Sequence, residues 1–153
     1  MTNPFRVAVA LGTLFLASPA FANDGLVPLN QLPMNDLDNL LYMVKRCGAV
    51  SFVMATKFRE HDEDMSNRLL KQRDHFSDKA FQVVVAMSNN TGKEVKTEDI
   101  NLIVEDIVKL VYLYRRHMED SYIKSGKMID NLTMSDSQLC ISAYESDLVS
   151  SKN

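Results

Sequence analysis

The sequence predicts an all-α protein: an up-down bundle of three long helices and one short C-terminal helix, following a cleaved signal peptide. Three observations carry that reading. Apolar residues recur every three or four positions over three long stretches, the period of a helix with one buried face. Clusters of turn-forming residues separate the stretches. No segment sustains the apolar–polar alternation of a strand.

Residues 1–22 have the three parts of a secretory signal. Met1–Arg6 is short and carries one positive charge, Val7–Leu16 is almost wholly apolar, and Ala20-Phe21-Ala22 supplies small residues at a cleavage point. Cleavage is expected between Ala22 and Asn23. The apolar run is about half the length a membrane span needs, so an anchor is not expected. No cysteine sits at the cleavage point for a lipid anchor. Cleavage leaves about 130 residues, one domain with enough chain to bury a core.

Residues 23–34 read as an extended leader, with Gly25, Pro28 and Pro33 among polar residues. Asn35 or Asp36 then caps the first helix, expected over about Asp36 to Arg59 with Leu37, Leu40, Leu41, Val44, Cys47, Met54, Ala55 and Phe58 on its stripe. Its middle is small: Cys47, Gly48, Ala49 and Ser51. Glycine in a helix costs about 1 kcal/mol against alanine, so Gly48 suggests close approach of another backbone. Residues 59–64 are charged and read either as a turn or as a solvated extension. The second helix is expected from about Met65 to Met87, stopped by Ser88-Asn89-Asn90-Thr91-Gly92.

Thr97 is a plausible N-cap for the third helix, with Glu98 and Asp99 placed well for the helix dipole. Its stripe is Ile100, Ile103, Val104, Ile107, Leu110, Val111, Tyr114, Met118 and Tyr122, and Gly126 ends it. A run of about 28 residues is about 42 Å of helix. Ser135 and Gln138 fit a capping box for a short fourth helix carrying Leu139, Cys140, Ala143, Tyr144 and Leu148. The bundle domain is thus 35–149, and 150–153 is a polar tail expected to fray.

Cys47 and Cys140 are the two cysteines. In an exported chain an even pair reads as a disulfide, and the first and fourth helices of an up-down bundle lie side by side. The bridge spans 93 residues, worth roughly 4–5 kcal/mol in the chain-entropy model.

The chain carries 17 basic and 20 acidic residues, net −3. The signal removes one cation and no acid, so the mature chain is slightly more acidic. That balance argues against nucleic acid as a partner, and stable membrane insertion is not expected after cleavage. No phosphate loop, Cys-x-x-Cys, haem attachment or zinc-protease motif is present. No catalytic residue and no cofactor are expected.

His61 and Met65, four apart, are the candidate metal ligands, although a charged run between helices is ordinarily a solvated link. His75 and His117 could do acid–base work only if they shared a groove with a carboxylate such as Asp74 or Glu119. The candidate partner surface is Lys109, Tyr112 and Arg116, opposite the Tyr114 stripe. Tyrosine and arginine are favoured at interface hot spots; the competing reading pairs Arg115 with Glu119 and Arg116 with Asp120. The expected function is therefore a non-catalytic exported protein, periplasmic or secreted, that binds another envelope protein as an inhibitor, immunity protein or adaptor. The alternative is a small-ligand or metal carrier with a site between helices near Met54, Met118 or His117.

Overall fold

Asp36 starts the first helix: its carboxylate accepts the Asn39 backbone N–H at 2.8 Å, satisfying a donor that the helix itself leaves orphaned. In the computed structural model, which describes residues 26–150, this helix, α1, spans Leu37–Phe58. It is followed by α2 over Glu63–Thr91, α3 over Thr97–Ser125 and α4 over Asn131–Ser150, and preceded by one 3-10 turn at Leu29–Gln31. The described residues are all-helical, without strands. The short links at 59–62, 92–96 and 126–130 reverse the chain each time, giving the up-down-up-down order.

The helix α1 is the hub. Helices α2, α3 and α4 each pack on it, while α2 and α3 barely touch one another. Every residue from Val44 to Ala55 is buried except the half-buried Lys45 and Phe52. Small side chains at Cys47, Gly48, Ala49, Ser51 and Ala55 make this possible, because they let neighbours close in on several sides. Val50 and Val53 of α1, Phe76 of α2, and Tyr114 and Met118 of α3 fill the space between, each buried apolar side chain contributing about 1.5–3 kcal/mol.

Several local details differ from the sequence reading. The charged stretch after α1 is a turn, one of the two readings the sequence allowed, but α2 starts two residues earlier than Met65, because Asp62 caps it by accepting the Met65 N–H at 2.9 Å. The helix α2 continues through Ser88–Thr91, where the Thr91 hydroxyl donates back to the Met87 carbonyl; the left-handed Gly92, φ 67°, ends it. Lys96 rather than Thr97 occupies the N-cap of α3, its N–H donating to the Asp99 carboxylate at 2.9 Å. Gly126 ends α3 at φ 69°, as expected.

The largest correction is α4, which is not short: it has 20 residues and begins well before Ser135. Asp130 takes the capping role, accepting the Thr133 N–H at 2.7 Å, so Leu132 and Met134 are helical. Gly48 also needs a different account. It faces α2, and an added Cβ would stand 3.9 Å from the Arg73 carbonyl oxygen, Phe76 Cβ and Ser77 Oγ. That is ordinary contact, so the close approach does not exclude a methyl group.

The segment 1–22 expected to be a signal peptide, the first three leader residues and 151–153 lie outside the described residues. The rest of the leader is not peripheral: Leu29 is fully buried, with Leu26 and Leu32 packed against the core. No helix among the described residues is long and apolar enough to cross a membrane.

Candidate functional site

Cys47 and Cys140 meet in disulfide geometry across α1 and α4, with sulfurs 2.02 Å and Cα atoms 5.3 Å apart. Beside them is a buried polar cluster that the sequence reading did not identify. Arg46, Tyr114 and Asp136 are all fully buried. The Arg46 guanidinium pairs with Asp136, donates through Nε to the Tyr114 hydroxyl at 3.0 Å, and also donates to the Val27 carbonyl. The Tyr114 hydroxyl donates in turn to Asp136, whose other oxygen accepts the Leu29 N–H at 2.8 Å. The cluster ties the leader, α1, α3 and α4 together.

Burial lowers the proton affinity of Arg46, but the facing Tyr114 and Asp136 outweigh it and hold the guanidinium above its ordinary value. Burial pushes the Tyr114 phenol up, and the Asp136 carboxylate adds to this against the pull of Arg46. Tyr114 therefore stays protonated and remains a donor. The sequence signal was present in outline: Arg46 adjoins Cys47 and Asp136 lies one turn before Cys140, so bridging the cysteines brings both charges to one seam.

The fully buried part of α4 is mostly polar, with Leu132, Leu139, Ala143 and Tyr144 half-buried around it. The buried residues of α4 are Thr133, Asp136, Ser137 and Cys140. Gln72 Nε2 and Thr133 Oγ1 are buried without a hydrogen-bond partner. Histidines flank the seam at its two ends. His117 of α3 hydrogen-bonds Asp130, the cap of α4. His75 of α2 hydrogen-bonds Asp147 at 3.0 Å, with Lys79 at 3.3 Å from the same oxygen. Burial raises the Asp147 pKa, and the hydrogen bonds from His75 and Lys79 together with their charges more than reverse this, leaving it lowered. The two histidines thus hold separate carboxylates and share no groove with Asp74 or Glu119; Asp74 instead pairs with Arg73.

His61 is exposed in the turn, whereas Met65 is half-buried against the core. No group of three or more His, Cys, Asp or Glu side chains that could hold a metal occurs among the described residues.

The outer face of α3 is exposed at all three candidate positions: Lys109, Tyr112 and Arg116. Tyr112 is 65% exposed while Tyr114 is fully buried, which matches the opposed faces drawn from the sequence. Lys109 lies 3.6 Å from Asp106. Neither of the pairs Arg115–Glu119 and Arg116–Asp120 forms among the described residues; the Arg115 guanidinium lies over the Phe52 ring, 6.0 Å from its centre. Ile100, Val104 and Tyr122, expected on the buried stripe, are exposed. The reason is that α3 packs chiefly on one neighbour, α1, so its buried face is narrower than its apolar one.

Two large open cavities flank α3, with a third, of about 290 Å³, beside His117, Asp120, Lys124 and Asp130. One, of about 620 Å³, is lined by Thr56 and Lys57 of α1, by Arg115, Met118, Glu119, Tyr122 and Ile123 of α3, and by Met128. The other, of about 750 Å³, lies between α1, the end of α2 and the start of α3, around Leu41, Met87 and Leu102, with the Lys45–Asp106 ion pair of 2.7 Å on its wall. No family model, curated protein or solved structure matches this chain.

Proposed function

We propose that this is a non-catalytic protein of the periplasm or the secreted fraction that binds another protein of the cell envelope through the outer face of α3. The observation that carries the reading is Tyr112, a large aromatic side chain held in solvent on a packed helix and flanked by Lys109 and Arg116. An aromatic residue so placed gains little from its own fold, and in an interface it supplies apolar area and a hydroxyl at low entropic cost. The secretory signal and the cysteine pair support an oxidising destination. The test is co-purification of the oxidised mature protein with envelope extract. Tyr112→Ala and Arg116→Ala should lose a partner that the parent protein retains, with melting temperature unchanged.

The carrier alternative has one observation in its favour: a cavity beside Met118, where the sequence reading looked for one. Native mass spectrometry of protein taken from the envelope separates the two, since a carrier retains a stoichiometric small molecule.

A further inference from the structure

We infer that the disulfide is a switch that seats the N-terminal leader. With Cys47 and Cys140 reduced, α4 and residues 26–32 stand away from a core of α1, α2 and α3, and oxidation docks the two segments together.

The bridge is not made in the closed fold. Cys47 and Cys140 are both fully buried, and thiol–disulfide exchange needs a thiolate that an oxidant can reach. The first exchange therefore takes place while α4 is open, and closure then shields the sulfurs. One cysteine thiolate attacks a small-molecule or protein disulfide, forming a mixed disulfide and releasing one thiol. The second cysteine thiolate attacks the protein sulfur of that mixed disulfide and releases the other. The two protein thiols give up two electrons and two protons, which leave on the oxidant as its two thiols.

Docking α4 without the bridge gains little. Besides Cys140 its buried residues are Thr133, Asp136 and Ser137, while its apolar Leu132, Leu139, Ala143 and Tyr144 are only half-buried. Docking takes the Arg46 and Asp136 charges out of water and leaves Thr133 Oγ1 without a hydrogen-bond partner. The attraction of a buried pair does little more than offset its desolvation. The pairs His117–Asp130 and His75–Asp147 at the ends of the seam are partly open to water, so they add little. The bridge pins α4 to α1 and removes the loop entropy that docking otherwise costs. It does so beside the charges that must meet: Arg46 adjoins Cys47, and Asp136 lies one turn before Cys140.

The leader depends on the same seam. Its polar ties are the Val27 carbonyl on Arg46 and the Leu29 N–H on Asp136, and its 3-10 turn packs chiefly on α4. An α4 that has left takes away both the Asp136 acceptor and a wall of the site that buries Leu29, so the leader does not seat before α4. The chain thus keeps its N-terminal segment open in a reducing compartment and closes it in an oxidising one.

Hydrogen–deuterium exchange of residues 23–153, oxidised and then refolded under a phosphine reductant, reads this segment by segment. In the oxidised protein the Leu29, Gln31 and Leu32 amides are hydrogen-bonded and should be protected together with α4. On reduction, residues 29–32 and 131–150 should exchange about tenfold faster or more, while the buried parts of α1, α2 and α3 keep their protection. Oxidised glutathione added after removal of the phosphine should restore protection in the two segments together. Unchanged protection of either segment on reduction, loss of protection throughout the chain, or a leader that regains protection before α4 overturns the inference.

Discussion

Removing the Asp136 carboxylate should cost more than its single ion pair suggests. In Asp136→Ala the Arg46 guanidinium stays fully buried with no counter-ion, while the Leu29 N–H and the Tyr114 hydroxyl lose their acceptor. Breaking a buried ion pair from one side costs about 3–5 kcal/mol, and each orphaned donor adds up to about 1–3 kcal/mol where water does not reach it. A domain of this size is stable by about 5–15 kcal/mol in total, so the variant should be marginal. The double variant Arg46→Met, Asp136→Leu removes both charges, and well-packed apolar replacements of buried pairs are often neutral. It should therefore be more stable than Asp136→Ala, despite carrying a second substitution. Urea unfolding of the oxidised protein, followed by circular dichroism, measures all three. A loss under about 1 kcal/mol in Asp136→Ala, or a double variant less stable than the single, would refute the cluster as an essential tie.

Other predictions follow from single sites. Gly48→Ala should stabilise the protein by up to about 1 kcal/mol, since there is room for the Cβ; a destabilised variant in thermal melts would show that α2 cannot yield there. Tyr114→Ala should cost about 3–5 kcal/mol through the cavity it leaves, while Tyr112→Ala leaves the melt nearly unchanged; similar losses in both would reverse the assignment of helix faces. Asp147 has a lowered pKa in the fold, so its contribution is complete above its ordinary value of 3.8 and is lost as pH falls below that. The stability gap between the parent and Asp147→Asn should accordingly narrow on acidification below about pH 4; a gap that widens in acid contradicts the pairing. Replacing both cysteines by alanine should cost about 2–5 kcal/mol, and non-reducing peptide mapping of the exported protein should recover Cys47 linked to Cys140.

The sequence shows its helices better than their ends. Periodicity located the three long helices because each has apolar residues at the helical repeat, whereas the buried face of α4 is mostly polar and carries little of that signal. The start of α4 was misplaced because Ser135 and Gln138 imitate a capping box, while the working cap, Asp130, sits after a run that looks like linker. The hub role of α1 was only half legible: its small residues signalled close packing, but not that α2 and α3 would leave one another almost free. The exposure of Val104 follows from that tertiary arrangement and from no local pattern. The exposure of Tyr112 opposite the buried Tyr114 was legible because opposite faces of one helix are fixed by spacing alone. The sequence pointed to Met118 but not to the cavity's walls, which form where α1 ends beside the last third of α3, a register set by packing.

The most direct test of the central claim is a photo-crosslinking amino acid placed at position 112 of the protein expressed in its native cells, with Lys71 on the exposed side of α2 as the control position. A discrete adduct at one mass from position 112, absent from position 71 and lost when Arg116→Ala is added, is the predicted result. No adduct, or the same adducts from both positions, would contradict a specific partner on the outer face of α3.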